Sequence, residues 1–103
     1  MITATTASHE ALYEQARNGS VTALWRLCVD YKPLFISESR MYKTAMGDIY
    51  DTDDWISLGN ILVWEIVSKG NFDAESGAFG AYLKQSVKFR FSTVWDILGC
   101  PQW

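Results

Sequence analysis

The sequence predicts an all-α fold, a compact bundle of about four helices over residues 1–103. Three observations carry that expectation. Apolar residues recur at three- and four-residue spacings along most of the chain, while strand-like alternation bounded by turns is scarce. Proline occurs only at Pro33 and Pro101, so little interrupts the helical runs. Hydrophobic residues make up 49 % of the chain and aromatics 15 %, enough for a core without covalent staples.

The first helix spans about residues 8–17. Ser8 caps it, Ala11, Leu12 and Ala16 form its apolar stripe, and Asn18-Gly19 ends it because both residues tolerate the left-handed conformation. Ser20 caps a second helix over about residues 21–44, with a stripe of Leu24, Leu27, Cys28, Tyr31, Leu34, Phe35, Met41 and Tyr42. Pro33 falls inside that run, where its missing N–H should kink or split the helix.

A loop, AMGDIYDTDD, leads to a third helix over about residues 53–69. Thr52 is its expected cap. Asp53 and Asp54 then lie in the first turn, at the positive end of the helix dipole, and Gly70 is the stop. After the turn-rich GNFDAES, a fourth helix runs from about residue 77 to 96 on a stripe of Phe79, Leu83, Val87, Phe91 and Val94. The tail GCPQW carries no helical signal. No repeat or linker divides the chain, so a single domain is expected.

Composition narrows the function. The formal net charge is -3, whereas nucleic-acid affinity rests mostly on phosphate contacts, so DNA binding would need a local basic stripe. Cys28 and Cys100 make neither a disulfide framework nor a zinc pair and read as reduced thiols of a cytoplasmic protein. The N-terminal MITATTASHE lacks the basic and apolar regions of a signal peptide, and no apolar run is long enough to predict a membrane span. His9, the only histidine, reads as solvated surface. No nucleophile, acid–base pair or phosphate-cradling glycine loop points to an enzyme. The DTDD carboxylates lack the glycine and terminal glutamate of an EF-hand, so neither a metal nor a cofactor is expected.

The third helix, DWISLGNILVWEIVSK, is apolar on too many sides for a simple amphipathic element. With about 100° per residue, Trp55, Leu58, Leu62 and Ile66 share one side, flanked by Ile56 and Val63. Ser57, Asn60, Ile61, Trp64 and Ser68 take the opposite side, and Trp64 lies almost diametrically across from Trp55. Two readings follow. The helix is central and buried all round, or its second face docks a partner, since tryptophan among small polar residues is typical of interface anchors. Exposed Trp64 could serve a homodimer as well as a different protein. Gly59 costs about 1 kcal/mol against alanine in mid-helix and suggests the close approach of another backbone.

Asp54, Ile56, Gly59, Asn60 and Ile61, followed by Phe72-Asp73, Gly77, Phe79 and Tyr82, resemble region 2 of bacterial sigma-70 family factors. Upstream, Gly19, Ala23, Leu24, Tyr31, Pro33 and Leu34 are similar to the family's first helices. The resemblance spans about residues 8–95 and is nearest to short, divergent sigma-like regulators. It implies an all-helical region 2 acting in transcription initiation. It also implies that the third helix binds a coiled coil on the β′ subunit of core RNA polymerase through Asp54, Ser57, Leu58, Asn60 and Trp64, with Ile61 on the same face. Leu58 and Ser57 stand where the family usually has glutamate and glutamine.

The resemblance further implies that the fourth helix touches the promoter -10 element. Tyr82 sits at the family's base-stacking position, and Lys84, Lys88, Phe89 and Arg90 supply a short basic and aromatic stripe. Gln85 and Ser86 replace the tryptophan pair of housekeeping factors, and Asp96 follows where the family continues basic. A module that docks a protein without reading DNA is therefore the alternative.

Overall fold

The computed structural model describes residues 8–43, 51–73 and 77–99, and among them there is no strand. Five α-helices follow one another: α1 (His9–Arg17), α2 (Val21–Asp30), α3 (Lys32–Lys43), α4 (Thr52–Lys69) and α5 (Phe79–Val94), the last running into a π-helical turn over Trp95–Gly99. The expected loop through 44–50, residue 76 and the tail with Cys100 lie outside the described residues. No described helix is long and apolar enough to cross a membrane.

The helix expected over 21–44 is two helices. Pro33 lies in the first turn of α3, where an N–H has no intrahelical partner to lose, and Tyr31 forms the break. Phe35 N–H donates to the Tyr31 carbonyl at 3.2 Å and so starts the new helix. The buried side of α3 is centred on Phe35, Glu38 and Ser39, which leaves Met41, expected in the core stripe, 68 % exposed.

Ser8 and Ser20 cap α1 and α2 as expected, their hydroxyls accepting from Ala11 N–H at 3.0 Å and Ala23 N–H at 3.1 Å. The cap of α4 is Asp51, not Thr52. Its carboxylate accepts from Asp54 N–H at 2.9 Å, and the Asp54 carboxylate accepts from Asp51 N–H at 3.0 Å. This reciprocal pair satisfies two orphan donors, which a threonine one residue later would not reach. Gly70 closes α4 in the left-handed conformation.

Short α1 joins the larger helices by charge. Glu10 Oε2 accepts from Phe79 N–H at 2.7 Å and caps α5, whose own preceding residue, Ala78, has no capping side chain. That backbone donor holds the Glu10 carboxyl below its usual range. At the other end of α1, Arg17 Nη1 donates to the Val67 carbonyl at 2.9 Å and the Ser68 carbonyl at 3.2 Å, at the negative end of α4. Each charge meets the helix end of opposite sign.

His9 is not the solvated residue the sequence suggested. Its Nδ1 lies 2.8 Å from the Tyr31 hydroxyl and its Nε2 lies 3.3 Å from Asp30 Oδ2. Burial, with Glu10 and Asp30 nearby, pushes the Tyr31 hydroxyl up to about 12, so it stays protonated and can donate to Nδ1. The ring therefore pins the start of α1 to the α2–α3 break.

The core is built round α4 and α5, with Leu12 and Tyr13 of α1, Leu27 of α2 and Phe35 of α3 packed into it. Phe79, Leu83, Val87 and Phe91 are fully buried at four-residue spacing, as the stripe predicts. Trp55 packs 4.7 Å from Phe91 and stacks on Tyr42 at 5.3 Å, centroid to centroid. Gly59 faces a side chain, not a backbone: a Cβ there would lie 2.5 Å from the Phe35 ring. Phe35 thus occupies the space that the glycine leaves open.

Candidate protein-docking face

The two sides of α4 differ as the helical wheel requires. Trp55, Leu62, Val63, Ile66 and Val67 are buried, while Ile61 is 51 % exposed and Trp64 is 56 % exposed. Trp64 does not stand alone. It lines a groove of about 340 Å³ with Val21 and Leu24 of α2 and Val67 and Ser68 of α4, and Arg17 borders it. Val21 is 76 % exposed, and Trp25, one helical turn further along α2, is 65 % exposed. Two tryptophans and two branched aliphatics thus present apolar surface on neighbouring helices. Patches of this kind mark interaction sites more often than ordinary monomer surface.

Neither Val21 nor Trp25 was singled out by the sequence. The signal was there: both lie off the stripe of Ala23, Leu27 and Cys28 that α2 buries. What the sequence lacked was the packing of α2 beside α4, which brings Val21 to Trp64.

The residues implied to touch polymerase divide into three groups. Ser57, Ile61 and Trp64 are exposed on the outer face of α4. Leu58 is half-buried and packs against the core, on the side the wheel assigns. Asn60 is half-buried, with Oδ1 enclosed and unpartnered among the described residues. Asp54 is exposed, but both its backbone N–H and its carboxylate are engaged in the cap of α4. Its local role is to start the helix that carries the face.

The five residues implied to touch DNA do not form one stripe. Lys84, Lys88 and Phe89 line a shallow groove on the outside of α5. Arg90 lies toward α4, in a second groove of about 390 Å³ that also contains Tyr82, Gln85 and Phe89. A spacing of two residues turns a helix by about 200°, which separates Arg90 from Lys88. Arg90 Nη2 lies 2.7 Å from Glu65 Oε1 and holds that carboxyl below its usual range. Lys88 Nζ lies 3.4 Å from the buried Glu38 Oε2. Both cations are thus partly neutralised within the chain. Tyr82 is half-buried against Phe72, with ring centroids 5.5 Å apart. Phe89 is 74 % exposed and is the most available aromatic on α5.

No family model, curated protein or solved structure matches the chain.

Proposed function

We propose that this chain is a protein-docking module of the sigma region 2 type, which binds core RNA polymerase through the shared α2–α4 face. The observation that supports the reading is the groove that brings exposed Trp64 to exposed Val21, with exposed Ile61 one turn from Trp64 on α4 and exposed Trp25 one turn from Val21 on α2. A helix of the β′ coiled coil laid along this face would cover them, with small Ser57 and Ser68 admitting close approach. The two tryptophans are the anchors, and the aliphatics widen the apolar centre. Binding is the whole of the activity proposed, with no chemical step.

Promoter contact through α5 is the second reading. It would make the protein an initiation factor rather than an adaptor. It is supported by the Tyr82–Phe89 groove, where aromatic faces lie beside the Gln85 amide and the Lys69 and Arg90 cations. The pairing of Lys88 and Arg90 with carboxylates weighs toward the adaptor.

The two readings separate in one experiment. The purified chain is mixed with core polymerase and run on a sizing column, with and without labelled -10 promoter DNA. Co-elution that falls with Trp64→Ala and persists with Phe89→Ala supports docking through α4. Undiminished co-elution of Trp64→Ala would sink it. DNA retained in the complex and lost with Phe89→Ala supports the initiation factor, and a complex without DNA supports the adaptor.

A further inference from the structure

A further groove lies where α2 passes into α3. Apolar Val29, Pro33 and Ile36 and the cations Lys32 and Arg40 line it, with Ser37, around about 390 Å³. Val29 is 48 % exposed, and Lys32, Pro33 and Arg40 are exposed as well. The arrangement follows from the chain break. Starting a new helix at Lys32 places Lys32, Ile36 and Arg40 at four-residue steps along one flank of α3, about 100° round from the side centred on buried Phe35, Glu38 and Ser39. The two cations are then separated by about 12 Å along the helix, with Ile36 midway.

Three other described cations are held by carboxylates. Arg26 holds Asp30, Lys88 holds Glu38 and Arg90 holds Glu65. Among the described residues, Lys32 and Arg40 make no ion pair or hydrogen bond. In a chain of net charge -3, two unneutralised cations beside apolar side chains are complementary to an occupant that is both anionic and apolar.

We propose that the α2–α3 groove docks an acidic amphipathic helix of a partner protein. Apolar side chains of that helix seat on Val29, Pro33 and Ile36. Carboxylates about two turns apart meet Lys32 and Arg40. A nucleic-acid backbone would satisfy the cations but leave the apolar side chains without a counterpart. The site is separate from the α2–α4 face and does not depend on which partner that face takes.

Fluorescence anisotropy on the full chain tests this with three labelled probes. One is a helical peptide with glutamates eight residues apart beside a leucine face. The second is the same peptide with lysines in their place, and the third is a duplex DNA oligonucleotide. The acidic peptide should bind at least about tenfold more tightly than the basic one, and added salt should narrow the difference. The double variant Lys32→Glu, Arg40→Glu should reverse the preference, a gain that an unfolded variant would not show. Ile36→Asp should weaken both peptides. Equal binding of the two peptides, or a preference that survives the double variant, would overturn the proposal. So would DNA binding lost in the double variant without any peptide binding, which would give the groove to nucleic acid. Self-association abolished by the double variant in sedimentation would give it to a second copy of the chain and would equally overturn it.

Discussion

Trp55 and Trp64 share one helix, nine residues apart, and have opposite surroundings. Trp55 is fully buried between Tyr42 and Phe91, while Trp64 is 56 % exposed beside Val21. The same side chain holds the domain together at one position and is available to a partner at the other. Half a turn of helical phase separates the roles. The contrast recurs on α5, where fully buried Phe91 is two residues from Phe89, 74 % exposed. The exposed faces of the two helices differ in turn. Around Trp64 apolar Val21, Leu24 and Val67 alternate with small Ser20 and Ser68, whereas on α5 Lys88 and Arg90 are already engaged by Glu38 and Glu65. An outer face whose charges are satisfied internally has less to offer phosphate, and one whose aromatics are uncovered has more to offer a protein.

The largest break in this comparison is Trp55→Ala against Trp64→Ala. Removing buried Trp55 should cost about 3–5 kcal/mol, a large part of a small domain's stability. Removing Trp64 should change stability by no more than about 0.5 kcal/mol. Urea unfolding of both variants measures the difference, and equal losses would contradict the division of α4 into two faces.

Gly59→Ala sharpens the buried side. Alanine favours an exposed helix interior, but here its Cβ meets the Phe35 ring at 2.5 Å. Overpacking should dominate, with a net loss of about 1–3 kcal/mol. Gly59→Ala combined with Phe35→Leu should lose less than the two single losses added together. Strict additivity by thermal unfolding would mean that the ring is not what excludes the methyl group.

The smallest effect tests how the faces are positioned. Glu10 caps α5, and its carboxyl is held below the ordinary value of 4.5. A lowered folded value stabilises above the unfolded value and is lost as pH falls through the folded one. Glu10→Gln should therefore cost about 1 kcal/mol near neutral pH. The gap from the unaltered chain should close as pH falls below the ordinary glutamate value and through the lowered folded one. A gap that persists at acid pH would show that the carboxylate charge is not the source.

Much of this was legible in the sequence because helical phase is local. The α5 stripe, the serine caps, the Gly70 stop and the outward turn of Trp64 all follow from spacing within one helix. The break at Pro33 was legible as a site, but the outward turn of Met41 depended on how α3 then packed. What joins helices was not legible. Glu10 on α5, Arg17 on α4, His9 on Tyr31 and Phe35 over Gly59 are contacts between distant positions in the chain. The same limit explains the scattered α5 stripe. Lys88 and Arg90 are near in sequence, and their carboxylate partners lie on different helices, α3 and α4.

The residues behind the sigma resemblance also divide by role. Phe72 and Phe79 are buried in one aromatic cluster with Tyr13, and Tyr82 closes its edge. Packing alone is a reason for that part of the pattern. Ile61 and Trp64, by contrast, are exposed on the outer side of α4, with half-buried Asn60 beside them. The functional reading rests on the second group.

Site-specific photo-crosslinking in the complex with core polymerase tests that reading most directly. A photoreactive residue replaces Ile61 in one variant and Phe89 in another. Docking through α4 predicts a β′ adduct from the Ile61 position and none from Phe89. A complex that forms yet yields the β′ adduct only from Phe89 would contradict the assignment of the docking face, and failure to form any complex would contradict the polymerase as partner.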